Sequence, residues 1–189
     1  AHSMGGAIAL RALHRDLDFK AAAFTGPMWG ILVPTLLSPF RKVITKIGIS
    51  FGLGQRHPPS TSDQCYTFVT EFQDNTLTPD PDMWAHMKKQ VTKHPDLQLA
   101  GPSFIWADAA FREIEALQKM SPPKTPALCF LGDEERIIDP QKVKMLIERW
   151  ATARLINVPG AKHEILMLDH HRQKVILRDI CDFFEKTAS

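Results

Sequence analysis

The first 27 residues change their apolar period within a short span. Ala7-Ile8-Ala9-Leu10-Arg11-Ala12-Leu13 is a run of strong helix formers, so a helix is predicted there. Asp16-Leu17-Asp18 breaks it, and Ala21-Ala22-Ala23-Phe24-Thr25 reads as a short buried strand ended by Gly26-Pro27. From about Met28 to Met120 the texture differs. That stretch holds most of the prolines together with Trp29, Trp84 and Trp106, and it shows helical patterns without a clear strand. Leu36, Phe40, Val43, Ile44 and Ile47 fall on one helical face, with Arg41, Lys42 and Lys46 opposite. Residues 82–91 and 104–117 are further predicted helices, separated by Leu53–Pro59 and by His94-Pro95-Asp96.

Beyond the stiff segment Ser121–Pro126 the chain alternates. Ala127–Leu131 is a predicted strand, and Asp139 is a good N-cap with Pro140 at the first helical position, opening a helix to about Ala151. Arg154–Val158 is another strand, ended by Pro159-Gly160. The last helix, from about Leu168 to Glu185, places Ile176, Ile180, Phe183 and Phe184 on one face. Strands alternating with helices of this length imply an α/β fold with a parallel sheet flanked by helices. Residues 1–27 and 121–189 are thus expected to form the core, with 28–120 as an inserted helical cap.

Composition narrows the function classes. A chain of 189 residues with 44% apolar residues supplies one real core, and 23 basic against 21 acidic side chains imply no nucleic-acid partner. Cys65, Cys129 and Cys181 are far apart and form no CxxC, which argues against a disulfide framework or a zinc cluster and fits a reducing, cytoplasmic compartment. No run approaches eighteen apolar residues, so no membrane span is expected.

The chemistry begins at the first residues. Ala1-His2-Ser3-Met4-Gly5-Gly6 has the small-x-Ser-x-Gly form of a nucleophile elbow, in which serine sits at the apex of a strained strand-to-helix turn. Residues two before and two after the serine crowd together there and must be small, as Ala1 and Gly5 are, and Gly6 lets the helix approach closely. The strand that would present Ser3 is expected upstream of Ala1. Without it the chain should expose a sheet edge and be inactive alone.

A serine hydroxyl needs a base. Of the eight histidines, His2 and His14 belong to the first helix, His57, His86 and His94 to the cap, and His170 and His171 to the last helix. The adjacent pair points in different directions on a helix and suits the surface better than a metal. His163 instead follows strand Arg154–Val158, in a loop at a strand's carboxyl end, where active sites of parallel sheets form. The base needs a carboxylate. Asp133, Glu134, Glu135 and Asp139 all follow strand Ala127–Leu131, and spacing alone leaves the choice among them open.

These segments, with Gly160-Ala161-Lys162-His163-Glu164-Ile165-Leu166, resemble the bacterial lysophospholipase and monoacylglycerol lipase branch of the α/β-hydrolases. The order nucleophile, acid, histidine is that fold's order. Gly-Pro-Ser-Phe-Ile-Trp at 101–106 resembles a cap segment of the lysophospholipase side. The resemblance implies the C-terminal part of an α/β-hydrolase with Ser3 as nucleophile, His163 as base and Glu135 as acid. Glu stands there in place of the family's commoner Asp, and Ala1 in place of the usual glycine.

It further implies acyl transfer from a lipid ester, lysophospholipid or monoacylglycerol, without metal or organic cofactor. The Met4 N–H would hold the oxyanion together with a donor from an earlier loop. The cap would set the substrate class and could bring peripheral membrane contact through its basic amphipathic stretch. The competing expectations are a hydrolase of small non-lipid esters and a low-turnover ligand-binding protein of the same fold.

Overall fold

The computed structural model describes residues 1–15, 17–33, 40–58 and 61–188. These residues fall into two compact units. One is 1–32, 76–83 and 114–189, and the other is 33–75 and 84–113. Residues 28–32, 76–83 and 114–120, which the sequence pattern assigned to the insertion, stand in the first unit.

The first unit is built on three parallel strands, β1 (Ala22–Thr25), β2 (Ala127–Gly132) and β3 (Ala153–Val158), in the order β1-β2-β3. Ala22 pairs with Ala127, and Ala127 with Ala153. All six residues of β2 are buried. Its unbroken apolar run is what a central strand covered on both faces requires. Leu128 and Phe130 pack with Val158, Ala161, Ile165, Leu168 and Ile176, and the partly buried Ile180 and Phe183 of the last helix close this cluster. Elsewhere Phe24 meets Trp29 edge to face at 5.0 Å, and Trp150 lies 6.1 Å from Phe24. The Trp29 indole N–H donates to Gly6 O, so its one polar atom is satisfied inside the core.

Three further elements complete the unit: α1 (Ser3–Leu13), α6 (Pro140–Arg149) and α7 (His170–Ala188), and the C-terminal end of α5 (Phe104–Lys119) joins them. Asp139 caps α6 as expected, its carboxylate accepting from the Gln141 and Lys142 amides. Asp169 does the same for α7 through the His171 and Arg172 amides, which places the start of that helix two residues later than its apolar pattern suggested.

Close approach fixes how α1 sits. A Cβ on Gly6 would lie 2.6 Å from Pro27 Cβ and 2.9 Å from Pro27 Cα, so only glycine allows α1 to meet the turn after β1. Gly5 is different: apart from its chain neighbours and the backbone of its own helix, no described atom lies within 4 Å of the Cβ it lacks.

The second unit contains α2 (Arg41–Ser50), α3 (Tyr66–Val69), most of α4 (Pro81–Lys93) and the first ten residues of α5. α2 seats on Thr45 and Gly48, the latter because the Phe104 ring occupies the space of a Cβ. Phe40, Val43, Ile47 and Phe51 are exposed. Leu36, read as part of the same apolar face, lies outside the described residues. Backbone bonds from Phe104 N to Arg56 O and from Gly101 N to Ser62 O tie α5 to the preceding loops, and Tyr66 meets Trp84 edge to face. Among the described residues no helix is long and apolar enough to cross a membrane.

Candidate active site

Three loops of the first unit converge at the carboxyl ends of the parallel strands. The first is the turn into α1. Residues 1–2 run alongside β1, with Thr25 N donating to Ala1 O and a parallel bridge between His2 and Thr25. Ser3 then opens α1 with φ 47°, the one non-glycine positive φ among the described residues. L-residues avoid this region, so the surrounding fold must hold it. The Ser3 carbonyl accepts from Met28 N, which anchors the turn from its other side. Met4 follows in the first turn of α1, at the positive end of the helix.

The second loop, after β2, sorts the four acids by the partners each has. Asp139 is committed to the cap of α6. Asp133 accepts from Gly160 N at 2.6 Å and so ties this loop to the one after β3. Glu134 is exposed, and only its amide crosses over, to Ala161 O. Glu135 turns inward. One oxygen accepts from the amides of Ile137 and Ile138 at 2.6 and 3.2 Å, and the other faces His163 Nδ1 at 2.7 Å. Burial favours the neutral acid, but the bond and charge of His163 and the two amides outweigh it and hold the Glu135 carboxyl below its usual range.

The third loop carries His163. Nδ1 donates to a carboxylate, which leaves Nε2 as an acceptor, and Nε2 lies 2.9 Å from Ser3 Oγ. The His163 and Glu135 side chains are 4% and 0% exposed, so this hydrogen-bonded chain is shielded from water. Its parts are 132 residues (Ser3 to Glu135) and 28 residues (Glu135 to His163) apart in sequence, and the structure brings all three together. A serine whose hydroxyl faces a neutral imidazole nitrogen, itself oriented by a carboxylate, can give up its proton as it attacks an electrophile.

Other residues shape the site without having been singled out from sequence. Gly26 at φ +49° leaves room for the ring: a Cβ there would lie 3.0 Å from His163 O and 3.3 Å from His163 Nδ1. Thr76 O and Leu77 O accept from the amides of His163 and Glu164, and the Thr78 hydroxyl donates to Met167 O. Segment 76–78 thus holds the histidine loop, although its polar, proline-flanked sequence gave no sign of it. His2 packs its ring 5.0 Å from that of His163 and reaches Glu164.

The remaining histidines stay apart from this chain of bonds: His14 ends α1, His170 and His171 are exposed at the start of α7, and His57, His86 and His94 belong to the second unit. Among the described residues no group of three or more His, Cys, Asp or Glu side chains could hold a metal ion.

Comparison with known proteins is consistent along the whole chain. The model of the family Hydrolase_4, described as serine aminopeptidase, S33, matches residues 1–170. The probable lysophospholipase L2 of Haemophilus influenzae is 28% identical over 187 residues, covering 97% of this chain and 58% of that protein. Lysophospholipase L2 of Escherichia coli K12 is 26% identical, covering 100% of this chain and 57% of the relative. The chain therefore spans a little over half the length of these curated relatives. Among solved structures, the monoacylglycerol lipase of Paleococcus ferrophilus superposes with a TM-score of 0.70 at 21% identity, covering 98% of this chain and 66% of that one. A soluble variant of the Saccharomyces cerevisiae monoglyceride lipase gives 0.71 at 19%, with coverage of 98% and 63%. These likenesses carry the fold: three parallel strands flanked by helices form part of an α/β-hydrolase.

Proposed function

The chain belongs to the Hydrolase_4 family of serine hydrolases, and from that premise we propose that it carries the acyl-transfer centre of a lipid ester hydrolase, acting on lysophospholipid or monoacylglycerol. The observation that carries the reading is the continuous bond path Ser3 Oγ–His163 Nε2 and His163 Nδ1–Glu135 Oε2 at 2.9 and 2.7 Å. Lipid rather than other esters is favoured by the two curated relatives, both lysophospholipases by name.

In this reading His163 Nε2 takes the Ser3 proton as Oγ attacks the ester carbonyl. The tetrahedral oxyanion is held by the Met4 N–H at the start of α1, where the helix dipole also favours negative charge. Glu135 stays ionised and stabilises the imidazolium. Collapse breaks the ester bond, His163 returns the proton to the leaving alcohol, and the acyl group remains on Ser3. A water molecule, deprotonated by the same imidazole, then attacks the acyl carbonyl and releases the fatty acid and the free serine. The exposed Phe40, Val43, Ile47 and Phe51 of the second unit support apolar contact of that unit with a lipid surface.

The test is made on the full-length protein. A fluorophosphonate probe should label it, and Ser3→Ala should abolish both labelling and release of fatty acid from lysophosphatidylcholine or monoolein. Turnover retained by purified Ser3→Ala protein would overturn the mechanism. Hydrolysis confined to acetyl and butyryl p-nitrophenyl esters would replace the lipid reading with one of small esters, and lipid binding without fluorophosphonate labelling would replace it with a ligand-binding role.

A further inference from the structure

The residue before the serine and the residue after the histidine meet each other. His2 Nδ1 lies 2.8 Å from Thr25 O and 3.0 Å from Thr25 Oγ1, while Nε2 lies 3.3 Å from Glu164 Oε2. A backbone carbonyl only accepts, so Nδ1 carries a proton. Nε2 is cut off from solvent and makes no aligned hydrogen bond among the described residues, and a carboxylate oxygen of Glu164 lies 3.3 Å from it. Beside a neutral ring that partly buried carboxylate would lack an opposite charge, whereas a second ring proton supplies one 3.3 Å away, so the imidazole is assigned as cationic. We infer that His2 and Glu164 form an imidazolium–carboxylate brace between the nucleophile turn and the histidine loop, which positions Ser3 against His163 and biases the charge that His163 can take up.

This rests on the reading of Ser3 and His163 as nucleophile and base. The groups that face His2 are Thr25 from β1, Glu164 and His163 from the loop after β3, and the more distant Glu135 carboxylate. Burial disfavours the charged ring, but the neighbouring Glu164 carboxylate, the Thr25 carbonyl and Glu135 together raise the His2 pKa above its ordinary 6.5. Burial likewise favours neutral Glu164, yet His2 and His163 hold it below its ordinary 4.5. A cation whose ring stands 5.0 Å from the His163 ring opposes protonation of the base, and the Glu164 anion offsets it. His2 and Glu164 touch no reacting atom, so both are positioning residues.

Two measurements on the full-length protein test this. Imidazole 15N and 13C NMR with labelled histidine, the His2 signals identified by their loss in His2→Gln, should show His2 still mainly cationic at pH 7 in the wild type and neutral in Glu164→Gln. A neutral His2 at pH 7 in the wild type overturns the brace without any reference to turnover.

The second is the pH profile of kcat/KM on a p-nitrophenyl ester. His2→Gln leaves an unbalanced anion beside the base, so the acid limb should move up by about one pH unit, with kcat down about 3–10-fold and KM changed less than about twofold. The double variant His2→Gln/Glu164→Gln should return the limb toward its wild-type place, because a neutral pair has been removed. Loss of kcat with an unmoved limb in all three variants means a purely packing role and overturns the electrostatic part. Absence of fluorophosphonate labelling in the wild type would instead sink the reading of Ser3 itself, and the NMR result would still decide the brace.

Discussion

Glu135 holds His163 with one carboxylate oxygen while its other oxygen is fixed by the amides of Ile137 and Ile138. The carboxylate is therefore oriented by its own loop as well as by the histidine. Substituting Glu135→Gln keeps the size but presents an amide to Nδ1, which disturbs the tautomer; kcat should fall about a hundred- to ten-thousand-fold with KM little changed. Glu135→Asp shortens the reach by one methylene and cannot serve both partners at these distances, so it should lose activity too. Steady-state kinetics on a p-nitrophenyl ester would check both.

The same carboxylate sets a pH dependence of stability. Its pKa is depressed in the folded protein, so its contribution is present above the ordinary value of 4.5 and is lost as pH falls through the lower, folded value. The gap in Tm between wild type and Glu135→Gln should accordingly be full at pH 7, persist at pH 5 and close only below about 4.5. A calorimetric series over pH 3–7 would read it, and a gap closing already near pH 6 would contradict the geometry.

Gly26→Ala should damage the site more than the fold. The new methyl would press on His163 O and Nδ1, and the positive φ disfavours any L side chain. A cost of about 1–3 kcal/mol is expected. Displacement of the ring from Ser3 should slow fluorophosphonate labelling at temperatures where the protein remains fully folded, as circular dichroism would verify.

Asp133→Ala removes the acceptor of the Gly160 amide that joins the acid loop to the histidine loop. About 1–2 kcal/mol of stability should be lost, since that amide must turn to water. Glu134 N–Ala161 O remains, so the loops should loosen rather than separate. Urea unfolding would measure the loss, and Asp133→Asn, which keeps an acceptor, should recover most of it.

Gly6→Ala tests the contact of α1 with the turn after β1. Its Cβ would fall 2.6 Å from Pro27 Cβ, against backbone and a rigid ring rather than a movable side chain. Overpacking of this kind costs about 1–3 kcal/mol and would shift Ser3 with the helix. Thermal unfolding and labelling rate should both drop.

Elements with strong local patterns could be read from the sequence. The apolar run of β2, the Asp139-Pro140 opening of α6 and the helix formers of α1 each state their structure within a few residues. Ser3 and His163, which the structure brings within 2.9 Å, could be put forward as candidates because a small-residue turn and a loop after a strand are local features. The acid was not settled by spacing, because Asp133, Glu135 and Asp139 are near neighbours distinguished only by what they meet: Gly160 for the first, His163 for the second, the α6 amides for the third. Gly26 passed as an ordinary strand end, since its purpose lies in a ring 137 residues away. His2 and Glu164 were quoted within motifs, but their meeting is a tertiary fact.

The chain enters the second unit twice, at 33–75 and again at 84–113, and between these visits it returns to the first unit for eight residues, 76–83. In that return Thr76 O and Leu77 O take the amides of His163 and Glu164. The second unit is therefore not a single exchangeable cassette. A graft replacing 33–113 wholesale would carry off the acceptors that hold the histidine loop, whereas replacing 33–75 and 84–113 as two separate pieces would keep them. Recombination between relatives with different specificities should succeed at the second pair of boundaries and fail at the first.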